Sequence, residues 1–152
     1  MNSPQGLSYD DMLVEFKASQ VKFIVDDSIL KLIQDGNDFE VWTHDVQFVF
    51  ASKTFMNKTS YPKKDLFQRH WSELFNRDEF CAAKIFKAIE EVYKTQKPQF
   101  NVTPKHLVQE IASVEKIALS VEVLAIAPYW LTEESPKIDG FIAVTKLRDI
   151  EH

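Results

Sequence analysis

The stretch Asp78-Glu79-Phe80-Cys81-Ala82-Ala83-Lys84-Ile85-Phe86-Lys87-Ala88-Ile89-Glu90-Glu91-Val92-Tyr93-Lys94-Thr95-Gln96-Lys97-Pro98 carries the clearest helical period in the chain. Ala82, Ile85, Phe86, Ile89, Val92 and Tyr93 recur at i, i+3, i+4 and i+7, while Lys84, Lys87, Glu90, Glu91 and Lys94 take the opposite face. The spacing predicts one amphipathic helix near 79–96, ended at Lys97-Pro98 because a residue before proline is pushed out of the helical region.

Outward from that helix the period changes to two. Downstream, residues 99–108 read as a strand, with Pro104 arguing for an edge or a bulge. Residues 116–128 form a long run rich in Ile, Val, Leu and Ala. After a polar loop at 132–137, Asp139-Gly140 signals a turn into a last strand near 138–148. Upstream, residues 54–80 show no long period and are broken at Pro62, which suggests short helices and loops. Before them, Phe39, Val41 and Thr43 alternate with Glu40, Trp42 and His44, and Val46, Phe48 and Phe50 alternate with Gln47 and Val49. Two strands near 39–44 and 46–51 are expected, with His44-Asp45 as the hairpin turn. Strands in adjacent groups with helices between the second and third predict an α+β fold: a five-stranded antiparallel sheet with helices on one face.

The N-terminal flank, residues 1–37, is set apart from a domain at 38–150. Within it, Tyr9, Met12, Leu13, Phe16, Phe23, Ile24, Leu30 and Ile33 predict one or two amphipathic helices over 8–34, stopped at Gly36. That much apolar surface on a flank points to a homodimer joined through these helices, against the rival that they fold back over their own sheet.

Composition excludes several classes. At 152 residues, 45% apolar and 27% charged, the chain is long enough to bury a core and ordinary in usage. Three glycines leave little room for a phosphate loop, and neither GxGxxG nor GxxxxGKS/T occurs. A net charge of −5 disfavours nucleic acid. Cys81 is the one cysteine, so an internal disulfide and CxxC zinc sites are ruled out. The Met1 end lacks a signal-peptide layout, and no apolar run is long enough to span a bilayer. A cytoplasmic protein is the expectation.

Ser52-Lys53-Thr54-Phe55-Met56-Asn57-Lys58-Thr59-Ser60-Tyr61-Pro62-Lys63-Lys64-Asp65-Leu66 resembles the N-x-a-F-x-x-x-T-G-Y-s-x-e-e-L segment of PAS domains, with Ser52 in place of Asn and Ser60 in place of Gly. Asp139-Gly140-Phe141-Ile142-Ala143-Val144 and the closing Arg148-Asp149-Ile150 are similar to that family's d-G-x-i-x-g-v and its terminal D-I-T, with Glu151 replacing the Thr. The resemblance covers about 38–150. It implies a sensory module of signal transduction, in many relatives bacterial and of two-component type, with a cavity between sheet and helices and an exit toward an effector or partner protein capped by Asp149.

The four histidines, His44, His70, His106 and His152, make no HxxxH or HxH pair, so no metal ligands are assigned. The predicted helix lacks the histidine from which haem-binding PAS domains commonly take their iron ligand. The G-x-N-C-R-F-L-Q motif of flavin-binding relatives is absent, and Cys81 reads as a small buried residue. The cofactor is left unknown. The acidic pairs Asp10-Asp11, Asp26-Asp27, Glu90-Glu91 and Glu133-Glu134 read as solvated, and no catalytic residue is assigned. Trp42, Phe48, Phe67, His70, Trp71, Phe86, Ile89, Tyr93 and Ile126 are the candidates to line a ligand cavity. The expected function is a sensor or interaction module without catalysis. Its alternatives are a small cone-shaped α+β enzyme or carrier with an acid/base pocket, and a dimerisation domain with a filled core.

Overall fold

A computed structural model of the chain describes residues 24–66, 69–130, 134 and 136–149. In chain order these form β1 (Ile24–Val25), α1 (Asp27–Gln34), β2 (Asp38–Thr43), β3 (Phe48–Ala51), α2 (Lys53–Lys58), α3 (Lys63–Leu66), a 3-10 turn (Trp71–Glu73), β4 (Phe75–Arg77), α4 (Glu79–Thr95), β5 (Gln99–Phe100), β6 (His106–Glu110), β7 (Ala118–Trp130) and β8 (Gly140–Asp149). The strands run β3-β2-β8-β7-β6-β4, each pair antiparallel, with β1 and β5 also pairing with β7. The path from β3 to β6 is the five-stranded antiparallel sheet that the sequence predicts, with α4 packed across its inner face.

Local chemistry sets the ends of these elements. Ser52 Oγ accepts from Phe55 N at 3.3 Å and from Phe39 N at 3.1 Å, so it caps α2 and ties it to β2. Asp78 Oδ1 accepts from Cys81 N at 2.8 Å and caps α4, which ends with Gln96 in the left-handed region at φ 56°. His44 and Asp45 form the β2–β3 turn, both exposed.

Ser60, where the family pattern has Gly, has no left-handed backbone for glycine to relieve. Its N–H donates to Glu110 Oε2 at 2.8 Å and its hydroxyl donates to Oε1. Glu110, almost fully buried, also accepts from Ser113 Oγ at 2.7 Å, which joins the α2–α3 loop to the β6–β7 hairpin.

Three expectations are corrected. Residues 99–108 are not one strand: β5 stops at Phe100 and Asn101 takes φ 53°; Asn101, Val102 and Thr103 still donate to the Leu124 and Val123 carbonyls of β7, but Pro104 has no N–H to give, and the regular ladder resumes at His106. Ile24 lies in a strand, not a helix. It and Val25, both β-branched, pair with Trp130 and Tyr129 before Asp26 caps α1 by accepting from Ser28 N. The buried face of α4 is Cys81, Ile85, Ala88, Ile89 and Val92, leaving Phe86 49% and Tyr93 45% exposed. At about 100° per residue, Phe86 and Tyr93 stand on the border of that stripe.

Two cores result, one on each face of the sheet. The inner one joins α2, α4 and the 3-10 turn to Trp42, Phe141 and Val123. The outer one packs Ile29 and Ile33 of α1 against Phe39, Val41, Ala125, Tyr129, Ile142 and Val144. Ile33, one of the residues behind the homodimer expectation, is thus buried on this chain's own sheet. Tyr9 to Phe23 lie outside the described residues, as do Phe67 and the Ile150-Glu151 exit.

Candidate functional site

A cavity opens between the inner face of the sheet and α4, with about 50 Å³ free to the centres of water molecules. That is room for roughly three to five waters, or a molecule of a few heavy atoms. Strand alternation selects the wall: Glu40 and Trp42 from β2, and Phe141, Ala143, Thr145 and Leu147 from β8. On β7 the register shifts between Val123 and Ala125. The bulge reverses the alternation, so Val121 and Val123 before it and Ile126 after it all reach the same wall. Ile85 and Ile89 close it from α4, Trp71 from the 3-10 turn, and Phe75 and Arg77 from β4. Val46 lines it from the β2–β3 connection at φ 61°, a backbone region costly to a β-branched residue.

The wall is apolar apart from a small set of polar groups. Trp42 Nε1–H donates to Glu40 Oε2 at 3.0 Å. Desolvation pushes the Glu40 carboxyl up to about 7, against the opposing pull of the Arg77 charge and of the Trp42 bond. Glu40 retains partial exposure although it is enclosed by protein, as expected of a cavity-wall residue. The Arg77 guanidinium lies 5.5 Å from the Trp71 ring centre, and its Nη1–H donates to His106 Nε2 at 3.3 Å. The other His106 nitrogen, Nδ1, faces the Pro104 carbonyl at 3.0 Å, which sets the neutral tautomer, and burial holds the ring's pKa down. Trp71 Nε1, Arg77 Nε and Thr145 Oγ1 are buried polar atoms without a partner among the described residues, and all three belong to wall residues.

Of the residues that the sequence singled out, Trp42, Trp71, Ile89 and Ile126 line this cavity. Phe48 is buried beside it, edge-on to Trp42 at 5.4 Å, without reaching the wall. Phe86 packs edge-on to Trp71 from outside, and Tyr93 does the same to Phe141, each at 5.0 Å. His70 caps the 3-10 turn by accepting from Ser72 N and stays off the wall. Sequence reasoning missed Glu40, Arg77 and Thr145. Glu40 was within reach, since it precedes Trp42 by two in an alternating strand and must share its face. Arg77 had no such signal, because β4 is three residues long.

Cys81 is buried at the start of α4, and desolvation raises its thiol rather than activating it. Among the described residues no group of three or more His, Cys, Asp or Glu is placed to hold a metal ion, and no helix is long and apolar enough to cross a membrane.

No protein-family model matches the chain, and no curated protein does. Solved structures do. The PAS-B domain of Drosophila melanogaster Cycle with bound ethylene glycol superposes with a TM-score of 0.54 at 9% identity, covering 72% of this chain and 98% of that one. A tryptophan-to-alanine variant of the same domain with bound glycerol gives the same figures. At that identity the likeness is one of fold: the sheet and its helical cover are PAS-like.

Proposed function

We propose that this chain is a PAS-like sensory or interaction module that binds a small molecule in the inner cavity and passes its occupancy to a partner domain or protein, without turning it over. The observation that carries this reading is the cavity itself, an apolar wall interrupted by Glu40, Trp71, Arg77 and Thr145. Preformed apolar pockets with a few converging polar groups are what small-molecule sites look like. A filled core, the form expected of a pure dimerisation domain, would leave no such space. The solved Cycle domains that share the fold also hold small polar molecules.

An acid/base pocket has weaker support. Glu40 titrates near neutrality, but its charged neighbour is an arginine, which keeps its proton, so the wall has one exchangeable group and no dyad. His106 touches Arg77 and is not part of the wall. Sheet strands β2 and β8 carry the cavity wall on one face and the α1 contact on the other, which offers a physical route from occupant to flank. A second copy of this chain is one partner that such a route would serve.

Mass spectrometry of the natively purified chain, followed by solvent extraction, tests the reading. A stoichiometric small molecule released on unfolding is the expected result. A chain that carries none, and whose melting temperature no small molecule raises, would sink the ligand half. Sedimentation at micromolar concentration, with and without residues 1–34, reads the self-association half.

A further inference from the structure

Glu40 ties the occupancy of the cavity to a proton, an inference that rests on the ligand-binding reading above. The residue stands on the inner face of β2, with Ala51 of β3 and Ala143 of β8 as its strand partners, and it lines the cavity. One carboxyl oxygen, Oε2, accepts from Trp42 Nε1 at 3.0 Å. The other, Oε1, accepts from no group among the described residues, and it is not one of the fully buried side-chain atoms left without a partner. Glu40 also joins no ion pair among the described residues. With strands on both sides and helices above, the exposure it retains is toward the cavity. Water in that space is what hydrates its charged form.

The charged groups that act on Glu40 are Arg77, from β4, which favours the carboxylate, and Asp38, two residues back on β2, which opposes it. Asp38 is itself held by Lys58 Nζ at 3.0 Å and by Leu147 N–H at 2.9 Å. His106 touches Arg77 and stays off the wall, and burial holds its ring to a lower titration. The elements that close the cavity, α4 and the 3-10 turn, present Ile85, Ile89 and Trp71, none of them titratable. All these neighbours are in place whether the cavity is filled or not. The water is what changes. An apolar occupant displaces it, strips the carboxylate of that hydration and favours the acid form.

We propose that the cavity takes a small neutral molecule with an apolar body, and takes it together with a proton on Glu40. Apart from Glu40, Arg77 and Thr145, the wall is aliphatic or aromatic, so a charged occupant sheds its hydration without matching contacts in return. Arg77 is already engaged by His106 and by the Trp71 ring. By linkage, the proton strengthens the occupant as much as the occupant strengthens the proton. The module therefore holds its ligand at acid pH and releases it as the pH rises through the Glu40 titration.

The test uses the full chain and thiophene, a small neutral ring without N–H or O–H groups, with isobutyrate and isobutylamine as charged probes of similar size. Binding is followed by the ¹³C-methyl signals of Ile85, Ile89 and Ile126, and protonation by the Glu40 carboxyl carbon, assigned through its own side-chain bonds. Thiophene should move the methyl signals saturably and bind about fivefold or more tightly near pH 6 than near pH 9. Saturation with it should raise the Glu40 titration midpoint by about one pH unit. Either charged probe should bind at least about tenfold more weakly. Glu40→Gln should remove the pH dependence of thiophene binding, and if that variant does not fold, the carboxyl titration of the parent chain still decides. Thiophene binding equally at both pH values, with the Glu40 midpoint unmoved, would overturn the proton coupling and leave a ligand cavity in place. A charged probe binding as tightly as thiophene would overturn the neutral class alone. Failure of all three probes to move any wall signal would overturn the proposal together with the ligand-binding reading.

Discussion

Gly140 lies so close to Trp42 that a Cβ placed on it would stand 2.0 Å from the Trp42 carbonyl oxygen and 2.7 Å from the Tyr129 ring. The Asp139-Gly140 pair marks a turn in the sequence, yet the glycine is needed for a different reason. It opens β8 where the strand passes between β2 and β7, and its backbone is not in the left-handed region.

Gly140→Ala should therefore be severe. The atom it meets is a backbone oxygen in a paired strand, which cannot move without disturbing the β2–β8 ladder. A loss of roughly 3 kcal/mol or more is expected in chemical denaturation. An unmoved midpoint would mean that the two strands lie farther apart than described.

Glu40 makes stability depend on pH. Its folded carboxyl titrates near 7, above the ordinary value of 4.5. Between those values the folded chain keeps a proton that the unfolded chain has released. Stability from this group thus falls as pH rises through that window and is flat on either side of it. Glu40→Gln should match the parent near pH 4.5 and exceed it at pH 8 by about 1–3 kcal/mol. Parallel stability profiles from pH 4.5 to 8 would show that Glu40 is not desolvated.

Ser60 reverses the usual expectation for a departure from a family pattern. Ser60→Gly restores the familiar residue but deletes the hydroxyl that donates to buried Glu110. It should lower stability by about 1.5–3 kcal/mol. Glu110→Ala should cost more, since Ser60 and Ser113 would both lose their acceptor. A gain in melting temperature for Ser60→Gly would contradict this.

The two sides of α4 should respond unequally. Ile85, 6% exposed, faces the inner core, and Ile85→Ala should cost about 2–5 kcal/mol. Phe86 is half exposed, so Phe86→Ala should cost roughly 1–2 kcal/mol, mostly through its contact with Trp71. Equal losses would rotate the helix back to the face that sequence spacing favours.

Much of this protein is local and was readable in the sequence. The period of 79–96, the alternation at 39–43 and the hairpin at His44-Asp45 each depend on residues a few positions apart, and such signals survive without knowledge of the rest of the chain. From their order, the antiparallel sheet with its long helix followed. Tertiary structure alone decided which side of α4 is buried, because Phe86 and Ile85 are equally apolar and only the position of the sheet separates them. It alone placed Arg77 beside Trp71, brought Glu110 to Ser60 fifty residues away, and set α1 on the outer face. The bulge on β7 is of the same kind: one extra residue reverses the alternation and sends Ile126 rather than Ala125 to the cavity, and its location depends on hydrogen bonds to β8 that a single strand's sequence does not encode.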